Sequence, residues 1–120
     1  MVPDINNDNN TIEPNDKNTI IKKLVYHRGV STKEFATICE GHLSRSKASG
    51  IVLASNNRRH YKAKPGDVET VMYCLTGLRV PEAELLHKAD ELIRVLDSGE
   101  IDQAPGKEKL LTAIKVVFGL

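Results

Sequence analysis

Arg45, Lys47, Arg58, Arg59, Lys62 and Lys64 fall in a stretch, Gly41 to Gly66, that holds no Asp or Glu. His42, His60 and Tyr61 lie in the same stretch. The whole chain carries a formal net charge of +1, so its positive charge is gathered here and balanced by acids elsewhere. An acid-free run of guanidinium and ammonium groups suits the phosphate backbone of a nucleic-acid duplex. Two kinds of contact are expected from it. Arg58, Arg59, Lys62 and Lys64 match phosphates, which ask for charge rather than a fixed donor pattern. Arg45, Ser46, Lys47 and Ser49 stand at the start of a helix, with the donors and acceptors that read base edges in a major groove. Tyr61, set among basic residues, offers a ring that stacks on a base or sugar, or one that covers the edge of the core.

Other chemistry finds little to work with. The histidines, His27, His42, His60 and His87, are scattered along the chain, and the two cysteines, Cys39 and Cys74, are far apart. Neither CxxC nor HxxxH spacing occurs, so no metal site is expected. There is no phosphate loop and no dinucleotide fingerprint, and no cofactor is expected. The acid pairs Glu82/Glu84 and Asp90/Glu91 are assigned to wet helix faces. The reading is that the chain is not an enzyme.

The basic run needs a scaffold, and the residues before it supply one. Ser31 and Glu34 form a capping box, each side chain satisfying a free backbone N–H of the other residue. Phe35, Ala36 and Cys39, with Ile38, follow at helical spacing, and Gly41 can take the left-handed conformation that ends such a helix. Ser44 then caps a second helix, with Leu43 and Ala48 placed as a hydrophobic staple. Ala48, Ile51 and Val52 form its stripe. Two short helices joined this way read as a helix-turn-helix, with Ala36 at the close crossing. A standard turn would put buried positions on the polar Ser46 and Ser49. A turn longer by about two residues, around Glu40 to Leu43, moves them to Ala48 and Ile51. Gly50 inside this helix costs about 1 kcal/mol relative to Ala. The plainer alternative is a helical hairpin with a solvated basic face.

The rest of the chain reads as follows. Met1 to Lys17 is rich in Asn and Asp and has no periodicity, so residues 1–17 are expected to be a disordered tail. Residues 18–120 are expected to form a single domain. Asn18 to Gly29 is a first helix, capped by Asn18 or Thr19, with His27 and Arg28 favouring its C-terminal dipole. Residues 55–66 are either a basic loop or one arm of a β-wing. Asp67 caps a helix over Val68 to Leu75, although its Val, Thr and Tyr content also suits a strand. Pro81 to Asp97 reads as one continuous Leu-rich helix, and Lys107 to Phe118 as a last apolar one, suited to dimerisation or to docking on the core. Hydrophobic residues make up 40% of the chain and aromatics only 4%, which favours an aliphatic, mainly α fold. Both cysteines fall on apolar stripes and are read as reduced, buried thiols. No apolar run is long enough to cross a membrane, and no signal peptide is seen, so the expected location is cytoplasmic.

Two tracts carry a resemblance to a known family. Lys47-Ala48-Ser49 resembles one tract of FlhD-type subunits of FlhDC activators. Leu78-Arg79-Val80-Pro81-Glu82, opening a Leu-rich helix, resembles a second in the same order, and Ile20 to Tyr26 would match the family's first helix. Asn57 to Asp67 looks like an insertion that the family lacks. The resemblance implies an all-α dimer that activates transcription together with an FlhC-like partner subunit, and relatives of that pair occur on conjugative elements as well as in flagellar control. The combined expectation is a bacterial DNA-binding transcription regulator that binds double-stranded DNA, acting as a homodimer or with a partner. The rival is a helical adaptor or regulatory subunit that does not bind DNA alone.

Overall fold

The computed structural model describes residues 17–53, 62–99, 101 and 104–119. Within them the chain forms helices α1 (Lys17–Arg28), α2 (Thr32–Ile38), α3 (Arg45–Leu53), α4 (Asp67–Thr76), α5 (Glu82–His87), α6 (Ala89–Ser98) and α7 (Lys107–Phe118). No strand occurs among the described residues. Residues 62–66 are loop and turn, and α4 is helical, so neither is an arm of a wing. Residues 54–61 lie outside the described residues, as do residues 1–16 of the tail expected at 1–17, whose last residue, Lys17, opens α1.

The first helix sits at the centre. Ile20, Ile21, Leu24 and Val25 are all buried, a broad stripe that one neighbour cannot cover. Accordingly α1 packs against α3, α4, α6 and α7. The helices α2 and α3 pack on each other, as do α6 and α7. The core they enclose is aliphatic: Ile51, Met72, Leu75, Leu85, Leu92, Leu96, Leu110 and Ile114, joined by Phe35, are fully buried and belong to one cluster. Each such side chain stabilises the fold by about 1.5–3 kcal/mol relative to exposure.

Several local expectations need correction. The long helix over Pro81 to Asp97 is broken at Lys88, whose backbone leaves helical geometry at φ −108°, ψ 20°. At that position the Lys88 ammonium donates to the Val117 carbonyl at 3.2 Å and lies 5.8 Å from the Phe118 ring centre. The break thus coincides with a clamp on the C-terminal end of α7, where the unpaired carbonyls attract a cation. Asn18 is inside α1 rather than capping it, and its side-chain oxygen accepts the Ala63 N–H at 2.7 Å. Gly66, not Asp67, is the N-cap residue of α4.

His27 and Arg28 occupy the last turn of α1, as expected, and both also reach beyond it. Arg28 donates from Nε to the Leu75 carbonyl, at 3.0 Å, near the end of α4. His27 is only 4% exposed and sits between two charged partners. Its Nε2 is 2.7 Å from Asp97 Oδ1 and its Nδ1 is 2.9 Å from Lys109 Nζ. An ammonium can only donate, so Nδ1 accepts from Lys109 and the ring proton on Nε2 goes to Asp97. Lys23 adds a second bond to Asp97 at 2.8 Å. The chain Lys109–His27–Asp97–Lys23 ties α7, α1 and α6 together through a polar seam. Beside it, Gly106 N–H donates to the His27 carbonyl at 2.9 Å. Gly29 ends α1 at φ +79°, and a Cβ there would lie 3.1 Å from the Pro105 side chain. Both facts demand glycine at 29.

Two outcomes follow for stability. His27→Ala leaves the Lys109 ammonium buried without its acceptor and should cost about 1–3 kcal/mol. Each kcal/mol lowers the melting temperature by roughly 4–8 °C in a domain of this size. Thermal melts by circular dichroism would show it, and an unchanged midpoint would refute the seam's importance. Asp97 contributes to stability in acid. Burial pushes its carboxyl up, but the hydrogen bonds from Lys23 and His27, with the Lys23 charge, outweigh that and hold it below the ordinary value of 3.8. The unfolded chain therefore binds the proton more readily, and the stabilisation is full above about pH 4 and fades as pH falls below it. Asp97→Asn should flatten the loss of stability in acid urea titrations.

Candidate nucleic-acid interface

The helix pair begins with the expected cap. Ser31 Oγ accepts the Glu34 N–H at 3.1 Å, and Glu34 Oε1 accepts the Ser31 N–H at 2.8 Å. Those bonds hold the Glu34 carboxyl below the ordinary carboxylate value. Phe35 and Ala36 turn inward and are buried. After Ile38 the chain makes a tight reversal. The His42 and Leu43 N–H groups both donate to the Cys39 carbonyl, at 2.8 and 2.9 Å, and Gly41 takes φ +91°. Ser44 then opens α3: its Oγ accepts the Lys47 N–H at 3.1 Å and its carbonyl accepts the Ala48 N–H at 2.9 Å. Leu43 and Ala48 are both buried in the core cluster, as a staple requires.

The connection therefore runs from Cys39 to Ser44, the longer of the two turns considered from the sequence. Its consequence is the expected one: Ala48 and Ile51 are the apolar buried positions of α3, with Gly50 buried beside them. Ser46 is exposed and Ser49 half-buried. Arg45 is exposed at the start of the helix.

Downstream, Lys62 and Lys64 are exposed while their backbone is held from several sides. Ala63 N–H is bound by Asn18 of α1. Lys64 N–H donates to Asp67 Oδ2 at 2.7 Å. Gly66 and Val68 donate their N–H groups to the two oxygens of Glu82, at 2.9 and 3.1 Å. Gly66 has no side chain to cap α4, so Glu82 from α5 satisfies the start of that helix instead. Lys17 adds charge at 3.5 Å from Glu82. Glu69 in turn accepts the Glu82 N–H at 3.1 Å and pairs with Arg79 at 3.3 Å. Glu82 is thus half-buried and structural, rather than a residue of a wet face.

Of the residues expected to bind nucleic acid, Arg45, Ser46, Lys62 and Lys64 are exposed, and the Lys64 backbone is tied through Asp67 to Lys47 in the first turn of α3. Lys47 is in the same region but points to Asp67, 3.0 Å away, with its side chain 34% exposed. Arg58, Arg59 and Tyr61 lie outside the described residues. Asp67, Glu82 and Asn18, which organise the segment, were not assigned these roles from sequence. The Pro-Gly turn before Asp67 was the available hint, because a carboxylate after such a turn readily takes backbone N–H groups.

Behind the turn lies a shallow groove of about 290 Å³, lined by Arg28, His42, Tyr73 and Cys74 among others. His42 meets the Tyr73 ring edge-on at 5.8 Å, and Arg79 stacks over Tyr73 at 4.5 Å. Cys39 is buried and Cys74 half-buried, and both are free thiols. Burial drives the Cys39 thiol far up, and the neighbouring Cys74 adds to that. Burial also raises Cys74.

Among the described residues no group of three or more His, Cys, Asp or Glu could hold a metal ion, and no helix is long and apolar enough to cross a membrane. No protein-family model, curated protein or solved structure matches the chain. The resemblance to FlhD-type subunits is thus carried by its sequence tracts alone.

The thiol environment gives a direct check on how the turn packs against α4. Thiolate is the reactive form, and burial suppresses it. Cys39 should resist iodoacetamide at pH 8 in the folded protein, with Cys74 slower than a free thiol. Both should alkylate rapidly in guanidinium. Fast labelling of Cys39 under native conditions would show that the turn does not pack as described.

Proposed function

We propose that the protein is a DNA-binding transcription regulator in which α2 and α3 act as a helix-turn-helix. The observation that carries the reading is the tie from Lys47 in the first turn of α3, beside the exposed Arg45 and Ser46, through Asp67 to the backbone of Lys64 at the end of the basic segment. In this mechanism α3 enters the major groove by its N-terminal end, and Arg45, Ser46 and Ser49 face base edges. Lys62 and Lys64, with Arg58, Arg59 and Tyr61 preceding them in sequence, lie along the phosphates. No acid interrupts Gly41 to Gly66 in sequence, and the two carboxylates that reach the segment, Asp67 and Glu82, face backbone N–H groups and the cations Lys47 and Lys17.

A second reading is a helical subunit working through proteins: a second copy of the chain, or an FlhC-like partner. Its support is the exposure of large apolar side chains, with Tyr26 and Leu53 each 71% exposed and Val116 58%. The two readings are separable, because a subunit of that kind would self-associate or need its partner without holding DNA alone.

Fluorescence anisotropy of a labelled random duplex titrated with the protein tests the first reading. With four to six phosphates neutralised, log affinity should fall against log salt with a slope of roughly −4 to −5. Arg58→Ala/Arg59→Ala should weaken binding to all sequences alike and flatten the slope, whereas Arg45→Ala should change the preference among sequences. Absence of binding at low salt would discard the stand-alone DNA reader. Equal weakening of every sequence by Arg45→Ala would discard its role at base edges.

A further inference from the structure

We infer that Lys47 is a positioning residue rather than a reader of bases: its ammonium, held by Asp67, straps the first turn of α3 to the end of the basic segment. This inference rests on the DNA-binding reading and refines which residues of that surface touch DNA.

The geometry is specific. Asp67 is 6% exposed, and both of its carboxylate oxygens are engaged. Lys47 Nζ lies 3.1 Å from Oδ1 and 3.0 Å from Oδ2. The Lys64 N–H takes Oδ2 at 2.7 Å. One buried carboxylate therefore joins a side chain of α3 to the backbone of the basic segment. Turning Lys47 toward a base edge would leave that buried charge with the Lys64 N–H alone, which is strongly unfavourable. Arg45 and Ser46 are exposed and bear no such cost, and at Lys64 only the backbone is used, leaving its ammonium for phosphate. The strap also fixes the separation between the base-facing end of α3 and Lys62–Lys64. Holding two contact groups in register before binding spares the loss of freedom that association would otherwise impose.

Positioning and plain electrostatics predict opposite signs for Asp67. If Asp67 only placed a negative charge on a cationic surface, removing the charge would tighten binding. If it holds the strap, removing it loosens the register and weakens binding.

The test is the anisotropy titration at several salt concentrations, with wild type, Lys47→Gln, Lys47→Arg, Asp67→Asn and the Lys47→Gln/Asp67→Asn double variant. Circular dichroism melts establish that each is folded. Lys47→Gln and Asp67→Asn are each expected to weaken binding by roughly tenfold. The double variant should be no weaker than the singles by more than about twofold, because the two residues act as one unit. Lys47→Arg should restore affinity. The salt slope of Lys47→Gln should match wild type, and sequences selected by it from a random pool should match those of wild type. A slope flatter by about 0.9, the loss of one neutralised phosphate, would overturn the inference. So would a changed sequence preference for Lys47→Gln, or tighter binding by Asp67→Asn. Should Lys47→Gln fail to fold, the sign of the Asp67→Asn effect and the Lys47→Arg result still decide. No wild-type binding at low salt would instead remove the DNA reading on which the inference stands.

Discussion

A twelve-residue helix that must be covered on almost every side governs this structure. With Ile20, Ile21, Leu24 and Val25 all buried, α1 cannot lie on the surface of a helical pair and has to be wrapped. Four other helices do so. The wrapping has a polar consequence at its C-terminal end. Continuing the buried face one turn further reaches His27, which is drawn into the interior and must find partners there. Asp97 and Lys109 provide them from the two helices that close over α1. The glycine that ends α1 and the Pro105–Gly106 segment that crosses it at contact distance belong to the same demand, since α7 can approach only where no Cβ intervenes.

A second economy of charge explains how a nearly neutral chain can present a cationic surface. Several of its acids have structural partners. Glu34 closes a cap, Asp97 serves the His27 seam, Asp67 and Glu82 gather the N–H groups around the start of α4, and Glu69 holds Glu82 and Arg79. The start of α4 is the positive end of a helix dipole and has no side-chain cap of its own, so carboxylates from neighbouring segments are stabilised there. These acids are tied to fixed partners of their own: Asp97 to Lys23 and His27, Asp67 to Lys47, Glu82 to Lys17 and Glu69 to Arg79. The basic surface around α3 is in this sense a product of packing as much as of composition.

The parts of this fold legible in the sequence are those settled within a few residues. The Ser31–Glu34 box, the Ser44 cap, the inward turn of Phe35 and Ala36, and the longer turn that rescues Ala48 and Ile51 are all local matters of spacing and side-chain reach. What the sequence did not disclose are partnerships across tens of residues. Nothing near Asn18 announces that its amide will bind Ala63, 45 residues away. Nothing near Lys88 announces that α5 and α6 will separate there, because the apolar stripe of Leu85, Ala89, Leu92 and Leu96 continues through the break. The periodicity is kept while the backbone departs from it, and the difference lies in a Lys88–Val117 bond that only the folded chain contains.

The candidate site shows the same division, and Lys47 is the instructive case. By spacing it is as good a base reader as Arg45: same helix, same first turn, same charge. What separates them is a single carboxylate placed twenty residues on and turned inward by the Lys-Pro-Gly turn. A helical wheel sorts residues by angle, but it is silent on which of two outward cations has a buried partner waiting. The energetic asymmetry is large, since a surface cation can leave one water-exposed position for another at little cost, whereas abandoning a buried carboxylate exposes the full cost of desolvating it. In the proposed interface, charge in the sequence marks the region, and burial of the opposing charges decides which of its residues are free to bind.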